Sequence, residues 1–185
     1  MGCGVSREVY RIARFLLSEY GGTLVLDADA LNSLAQYGVG ALKGHKCGVL
    51  LTPHPKEFSR LCGKELSEVL GSGADLAKGF AAEYGVAVLL KGHVSSVTDG
   101  SFTVYTASGT PALAKGGSGD VLSGIAAAIA ARGFSPLQAG AGASYLLGSA
   151  GSIAAARQGN EYSVTASDVV AALPAAIARL STEGD

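Results

Sequence analysis

Residues 107–133 read ASGTPALAKGGSGDVLSGIAAAIAARG, and the rest of the chain is organised around them. Lys115-Gly116-Gly117-Ser118-Gly119-Asp120 is a loop of small residues that runs into an apolar, alanine-rich stretch from Val121 to Ala131. Val121, Leu122, Ile125 and Ile129 recur at helical spacing, and alanine fills the other positions at no propensity cost. The spacing predicts a helix over 118–132, ended by Gly133 with Pro136 beyond it. A glycine loop opening a helix leaves backbone N–H groups unpaired at the positive end of the dipole, which makes an anion site, most often for phosphate. This loop is neither a Walker loop nor a dinucleotide fingerprint. Asp120 lies inside it. Bound phosphate repels a carboxylate, so a loop for phosphate alone would exclude one. A site that takes a proton from a hydroxyl during phosphoryl transfer would use it. The plainer alternative is a carboxylate that complements the helix dipole, with glycines that only make a turn. A side chain at Gly119 is expected to block backbone approach to phosphate and to demand a disallowed φ.

Outward from this stretch, short apolar runs alternate with amphipathic ones. Ser6 caps a helix to about Tyr20, with Val9, Ile12, Ala13, Leu16 and Leu17 on one face, and Gly21-Gly22 ends it. Strands are expected at 23–26, 48–51 and 86–90, and a hairpin at 94–98 and 102–106 turning at Asp99-Gly100-Ser101. Helices are expected around Leu31–Ala35, at 56–62, 65–84, 136–157 and 166–180, the last one kinked by Pro174. Fully apolar strands alternating with helices indicate an α/β fold with a mostly parallel sheet and helices on both faces. Ligands of such sheets bind at the C-terminal strand ends. Three polar clusters lie there: Asp27/Asp29, His54/Glu57 and Lys91.

Each cluster has a chemical use and a structural one. Two prolines stiffen Thr52-Pro53-His54-Pro55-Lys56-Glu57, so that His54 can meet a substrate and Glu57 can help hold a water-coordinated Mg²⁺; an exposed His with a dipole-complementing Glu is the alternative. Lys91-Gly92-His93-Val94-Ser95 offers a point charge to phosphate, or simply a solvated Lys at a turn. Asp27 and Asp29 could sit near Mg²⁺-bound phosphate, and Asp29 reads equally well as a plain N-cap.

Composition narrows the function class. The 185 residues are 48% hydrophobic and 16% charged, which suits one folded domain over 1–185 with a real core. Net charge is −1, without Lys/Arg clusters, which excludes nucleic acid as an expected partner. Cys3, Cys47 and Cys62 lack CxxC spacing, and His45, His54 and His93 lack ligand spacing. A reducing, cytoplasmic setting is expected, with no zinc site. Met1-Gly2-Cys3-Gly4-Val5-Ser6 fits a myristoylation pattern that also arises by chance. The uncharged window between Arg132 and Arg157 contains Pro136 and many Gly and Ser, so it reads as a closely packed helix and not a membrane span.

Taken together, GCGV (2–5), VLDADALN (25–32), LTPHPKEF (51–58), VLLKG (88–92), GTPALAKGGSGDVLSGI (109–125) and VTASDVVAALPAAI (164–177) resemble the ADP/ATP-dependent NAD(P)H-hydrate dehydratases of the ribokinase-like superfamily. The resemblance implies a ribokinase-like three-layer fold. It implies contacts to an adenine nucleotide from Lys91, Gly92, His93, Val94 and Ser95 and from Gly116, Gly117, Ser118 and Gly119. Gly4, His54 and Asp120 would contact hydrated NADH or NADPH, with Asp120 as catalytic base and Glu57 acting indirectly on Mg²⁺. In related kinases an Asn precedes the acidic residue by three positions; His54 takes that position here, as in the dehydratases. ADP or ATP with Mg²⁺ is the expected co-substrate set, and a homo-oligomer is the expected assembly. Relatives carry a segment before the GCG-like motif, so this chain is expected to be a fragment, a mis-started frame or a reduced variant short of N-terminal strands. The competing readings are a small-alcohol kinase of the hydroxyethylthiazole kinase type and a nucleotide-binding module without turnover.

Overall fold

The computed structural model describes residues 3–182; the myristoylation pattern depends on Gly2, which lies outside them. Helix α1 (Arg7–Glu19) starts at Ser6, whose hydroxyl accepts from Val9 N at 3.2 Å. Strand β1 (Thr23–Leu26) follows, then α2 (Asp29–Tyr37), β2 (Gly48–Leu51), α3 (Pro55–Cys62) and α4 (Leu66–Tyr84). Strand β3 (Ala87–Leu90) leads into the hairpin β4 (Ser95–Thr98) and β5 (Thr103–Thr106). Three helices close the chain: α5 (Ser118–Ala130), α6 (Pro136–Gln158) and α7 (Ala166–Thr182).

The strands form one sheet in the order β1-β2-β3-β4-β5. The first three are parallel and the hairpin is antiparallel. Although the strands look apolar throughout, their side chains alternate between two cores. Leu26, Val49, Leu51, Val88 and Leu90 join the core under α1–α4. Leu50, Ala87, Leu89 and Val97 join the one under α5–α7. Helices therefore cover both faces, as expected, and the connections bring the C-terminal ends of β1, β2 and β3 to one edge. Helix α6 is packed closely through small residues: a Cβ at Gly148 would run into Ser108, and one at Gly140 would lie 2.8 Å from Val97. Among the described residues no helix is long and apolar enough to cross a membrane.

Three local expectations change. Helix α5 ends at Ala130, because Arg132 N and Gly133 N bond back three residues, to Ile129 O and Ala130 O, and tighten the last turn. Helix α4 is broken at Ser72 (φ −136°, ψ 29°), between two glycines. Pro174 lies inside helix α7, where the sequence places it. Asp29 does not cap α2: Ala28 holds the cap position, at φ 51° and ψ −118°, and Asp29 is the first helical residue. Ala28 is the one non-glycine among the described residues with positive φ, a strain of order 1–3 kcal/mol.

Candidate functional site

The strained turn at Ala28 separates two carboxylates with different duties. Asp27 is 4% exposed. Its Oδ1 accepts from Lys91 Nζ at 2.9 Å, and its Oδ2 accepts from the Ser123 hydroxyl of α5 at 3.3 Å. Asp29 Oδ2 accepts from the backbone N–H of Gly4 at 2.9 Å, which ties the start of the chain to α2. The ends of β1, β2 and β3 are linked as well: Thr52 N and Oγ1 both donate to Leu26 O, and Lys91 N donates to Pro53 O.

His54 is the N-cap of α3. Its Nδ1 accepts from Lys56 N (3.1 Å) and Glu57 N (3.2 Å), while Glu57 Oε2 accepts from His54 N (2.9 Å). This is a capping box with an imidazole where a hydroxyl is usual. Nδ1 as acceptor leaves the proton of a neutral ring on Nε2, which lies 3.4 Å from Glu57 Oε1. Glu57 is 5% exposed, and its Oε2 also lies 3.9 Å from Lys91 Nζ. Lys91 thus stands between two buried carboxylates, and the cluster is net negative before any ligand arrives.

The α5 loop completes the site. Gly117 is the N-cap at φ 89°, so the conformational need for glycine falls there and not at Gly119, whose backbone is helical. A Cβ on Gly117 would also come within 3.0 Å of Ala166. Gly119 lies over the ion pair: a Cβ there would meet Asp27 Oδ2 at 3.5 Å and Lys91 Nζ at 3.7 Å. Ser118, first in the helix, is 8% exposed, and its hydroxyl is the one buried polar side-chain atom among the described residues with no hydrogen-bond partner. A buried hydroxyl without a partner is costly unless a ligand completes it. It lines a cavity of about 550 Å³ together with Lys91, Gly92, His93, Ser95 and Gly119. Val94, Gly116 and Gly117 do not line it. Asp120 is exposed and lines a separate recess with Gly117, Val121, Ala166, Ser167 and Val170.

The NAD(P)H-hydrate dehydratase family model matches residues 1–175. The chain belongs to that family. It is 36% identical over 113 residues to the ADP-dependent (S)-NAD(P)H-hydrate dehydratase of Cenarchaeum symbiosum, an alignment covering 60% of this chain and 38% of that protein. It is 38% identical over 113 residues to the bifunctional NAD(P)H-hydrate repair enzyme of Pyrobaculum aerophilum, covering 60% of this chain and 21% of that one. Its structure is similar to the ADP/ATP-dependent NAD(P)H-hydrate dehydratase of Bacillus subtilis co-crystallised with ATP/Mg²⁺, at a TM-score of 0.82 and 26% identity. That match covers 96% of this chain and 62% of the other. The chain thus spans about a fifth to two thirds of the relatives it matches. A TM-score of 0.75 at 24% identity to a ribokinase-like superfamily protein of Enterococcus faecalis bears out the expected fold.

In this dehydratase-family chain much of the cavity wall went unseen in the sequence. Thr106, Ser108, Gly109, Thr110, Pro111, Ser144 and Gly148 line it. Thr106 Oγ1 and Ser144 Oγ lie 2.6 Å apart, and the Ser108 hydroxyl donates to Ser144 O. Lys115, which the sequence places in the loop, turns away from the cavity and donates to the Val164 carbonyl. It clamps the loop to the start of α7, where Thr165 and Asp168 cap each other. The Thr165 hydroxyl holds the Asp168 carboxyl below the usual carboxylate range. Burial pushes the Cys47 and Cys62 thiols up. No group of three His, Cys, Asp or Glu that could hold a metal occurs among the described residues.

Proposed function

We propose that this chain dehydrates hydrated NADH or NADPH at the expense of ADP or ATP. The unpartnered Ser118 hydroxyl at the N-terminus of α5 carries the reading, because it is a donor waiting for an acceptor in the cavity beside Lys91. The nucleotide lies in the 550 Å³ cavity, with its phosphates toward Ser118, Gly119 and Lys91. The terminal phosphoryl group reaches over Gly119, which has no side chain to obstruct it. The hydrated ring lies on the far side, near Gly4, His54 and Asp120.

The ring hydroxyl is a poor leaving group. Asp120 accepts its proton as the oxygen attacks the phosphoryl group, and the bond to the nucleotide breaks to give AMP from ADP or ADP from ATP. The C–O bond then breaks with phosphate as leaving group, and loss of a proton from the neighbouring carbon restores the double bond. Backbone N–H groups of the loop stabilise the charge on phosphate oxygens throughout. His54 presents Nε2 to the substrate while its Nδ1 is held by α3. Mg²⁺ fits as a companion of the nucleotide: it would offset the net negative Asp27–Lys91–Glu57 cluster through its waters, since both carboxylates already have protein partners. The outer edge of β1, unpaired among the described residues, and an apolar groove containing Ile129, Phe134, Leu173 and Ile177 support a homo-oligomer, and the reaction suits the cytoplasm.

The test is the return of NADH absorbance from chemically hydrated NADH with ADP or ATP and Mg²⁺, with phosphate measured in parallel. Equal yields of NADH and phosphate are expected. A stable phosphorylated product would make the chain a kinase, and nucleotide binding without either product would make it a binding module.

A further inference from the structure

Beside the proposed substrate side lies a second recess, of about 440 Å³, that the dehydration chemistry does not use. Val5, Asn32, Ala35, Gln36 and Arg60 line it. Asn32, Ala35 and Gln36 fall at i, i+3 and i+4 on α2, one continuous stripe that faces Arg60 of α3. Arg60 Nη1 donates to Asn32 Oδ1 at 2.7 Å, and Asn32 Nδ2 donates to Ala28 O at 3.1 Å. Asn32 is thus engaged at both ends of its amide and works as a strut that aims the guanidinium. No carboxylate lies within ion-pair distance of Arg60 among the described residues, and the Gln36 amide makes no hydrogen bond among them. The recess therefore presents an oriented, uncompensated guanidinium with most of its donors unused, an amide and the apolar side chain of Val5.

Its position limits what it can hold. Val5 follows Gly4, whose N–H is fixed on Asp29. Asn32 lies three residues beyond Asp29 on α2, and Arg60 three residues beyond Glu57 on α3. On each helix that is under one turn, about 4.5 Å along the axis, away from the strand ends. A molecule whose reacting ring lies at Gly4 and His54 brings its next charged group here.

We infer that this recess binds the pyrophosphate of the hydrated dinucleotide, with Arg60 as the donor fork and Asn32 as its positioning residue. The inference rests on the proposed substrate. A planar guanidinium matches the paired oxygens of a phosphate, and an arginine held by a neutral partner keeps its whole charge for them. The bound dinucleotide would then run from the α5 loop across Gly4 to α3, on the opposite side of the loop from the nucleotide.

The probe is NADH, the reaction product, which carries the pyrophosphate and needs no turnover to bind. Its affinity is measured by fluorescence for the parent, Arg60→Ala, Arg60→Lys and Asn32→Ala. Reduced nicotinamide mononucleotide, which lacks the second phosphate and the adenosine, serves as the truncated probe, and ADP as the control. Arg60→Ala should weaken NADH at least about tenfold, with Arg60→Lys and Asn32→Ala in between. Its loss for the truncated probe should be much smaller, and ADP affinity should match the parent. Equal NADH affinity in parent and Arg60→Ala overturns the inference. Equal losses for NADH and ADP would mark Arg60 as a structural support and also overturn it. A parent that binds ADP but not NADH overturns both this site and the proposed substrate. A parent that regenerates NADH while Arg60→Ala keeps its affinity overturns this site alone.

Discussion

Ser118 and Asp120 are two residues apart on the same helix, yet they face different spaces. At about 100° per residue, positions i and i+2 point roughly 200° apart around the axis, so one cavity cannot take both. Ser118 is buried against a cavity closed by the 91–95 turn, the 106–114 segment and α6. Asp120 is exposed on a shallower recess shared with the start of α7. On the first side a polar group lacks a partner and the walls come from four parts of the chain. On the second a carboxylate stands at an open rim, within reach of α7 and of an apolar groove. The proposed roles, binding on one side and proton removal on the other, can therefore be separated by mutation, although the sequence presents them as one loop. Gly119 lies between the two and carries no side chain to divide them.

Ranked by loss of nucleotide affinity, the largest effect is expected from Gly119→Val. The backbone there is helical and a Cβ has ordinary room, so alanine should be tolerated. The valine methyls would enter either the Asp27–Lys91 pair or the phosphate path. Calorimetry should find ADP binding reduced beyond about 100-fold, with Gly119→Ala close to the parent. Equal losses in both variants would point to backbone strain in place of blockage. Lys91→Met comes next, at about tenfold. It also leaves Asp27 buried with only Ser123, so stability should fall by about 1–3 kcal/mol in urea denaturation. Adding Asp27→Asn should restore much of the stability and none of the affinity. If the double variant recovers ADP binding, Lys91 only neutralises Asp27 and does not touch phosphate.

Ser118→Ala should lower ADP affinity a few-fold, about 1 kcal/mol, while raising the stability of the ligand-free chain by a similar amount. Opposite signs are the signature of a hydroxyl kept without a partner for a ligand. A loss of stability would show instead that the hydroxyl serves the fold. Ala28→Gly should leave nucleotide affinity unchanged and raise stability by about 1 kcal/mol, because glycine adopts positive φ freely.

The architecture was largely legible in the sequence, and for identifiable reasons. Short apolar runs bounded by glycines and polar clusters gave each parallel strand to within a residue. The Asp99-Gly100-Ser101 turn gave the hairpin, and Asp99 Oδ1 indeed accepts from Ser101 N and Phe102 N. The strand-end rule brought Asp27, His54 and Lys91 to one edge. What could not be read was direction. Lys91 looked like a point charge for phosphate, but two carboxylates from distant turns surround it. Lys115 looked like part of the phosphate loop, but its side chain anchors α7. Thr106 and Ser108 belonged to no motif, yet they become part of a cavity wall because Gly148, on a helix some 40 positions away, lets Ser108 approach. Asp29 failed as a cap because the backbone at Ala28 turns through a conformation that no residue pattern advertises. The misses at Lys91, Lys115 and the cavity wall depend on contacts between segments far apart in the chain, which local spacing does not encode.

The smallest effect on affinity and the largest on turnover should come from the same substitution, Asp120→Asn. It keeps size and shape and removes only the ability to take the hydroxyl proton. Turnover of hydrated NADH should fall by about 10²–10⁴-fold. ADP affinity, measured on the same preparation, should hold or rise, since a negative charge near phosphate is gone. That pairing would establish that the two faces of the α5 N-terminus divide binding from chemistry. A variant that regenerates NADH at close to the parental rate, or that loses ADP binding in step with turnover, would contradict it.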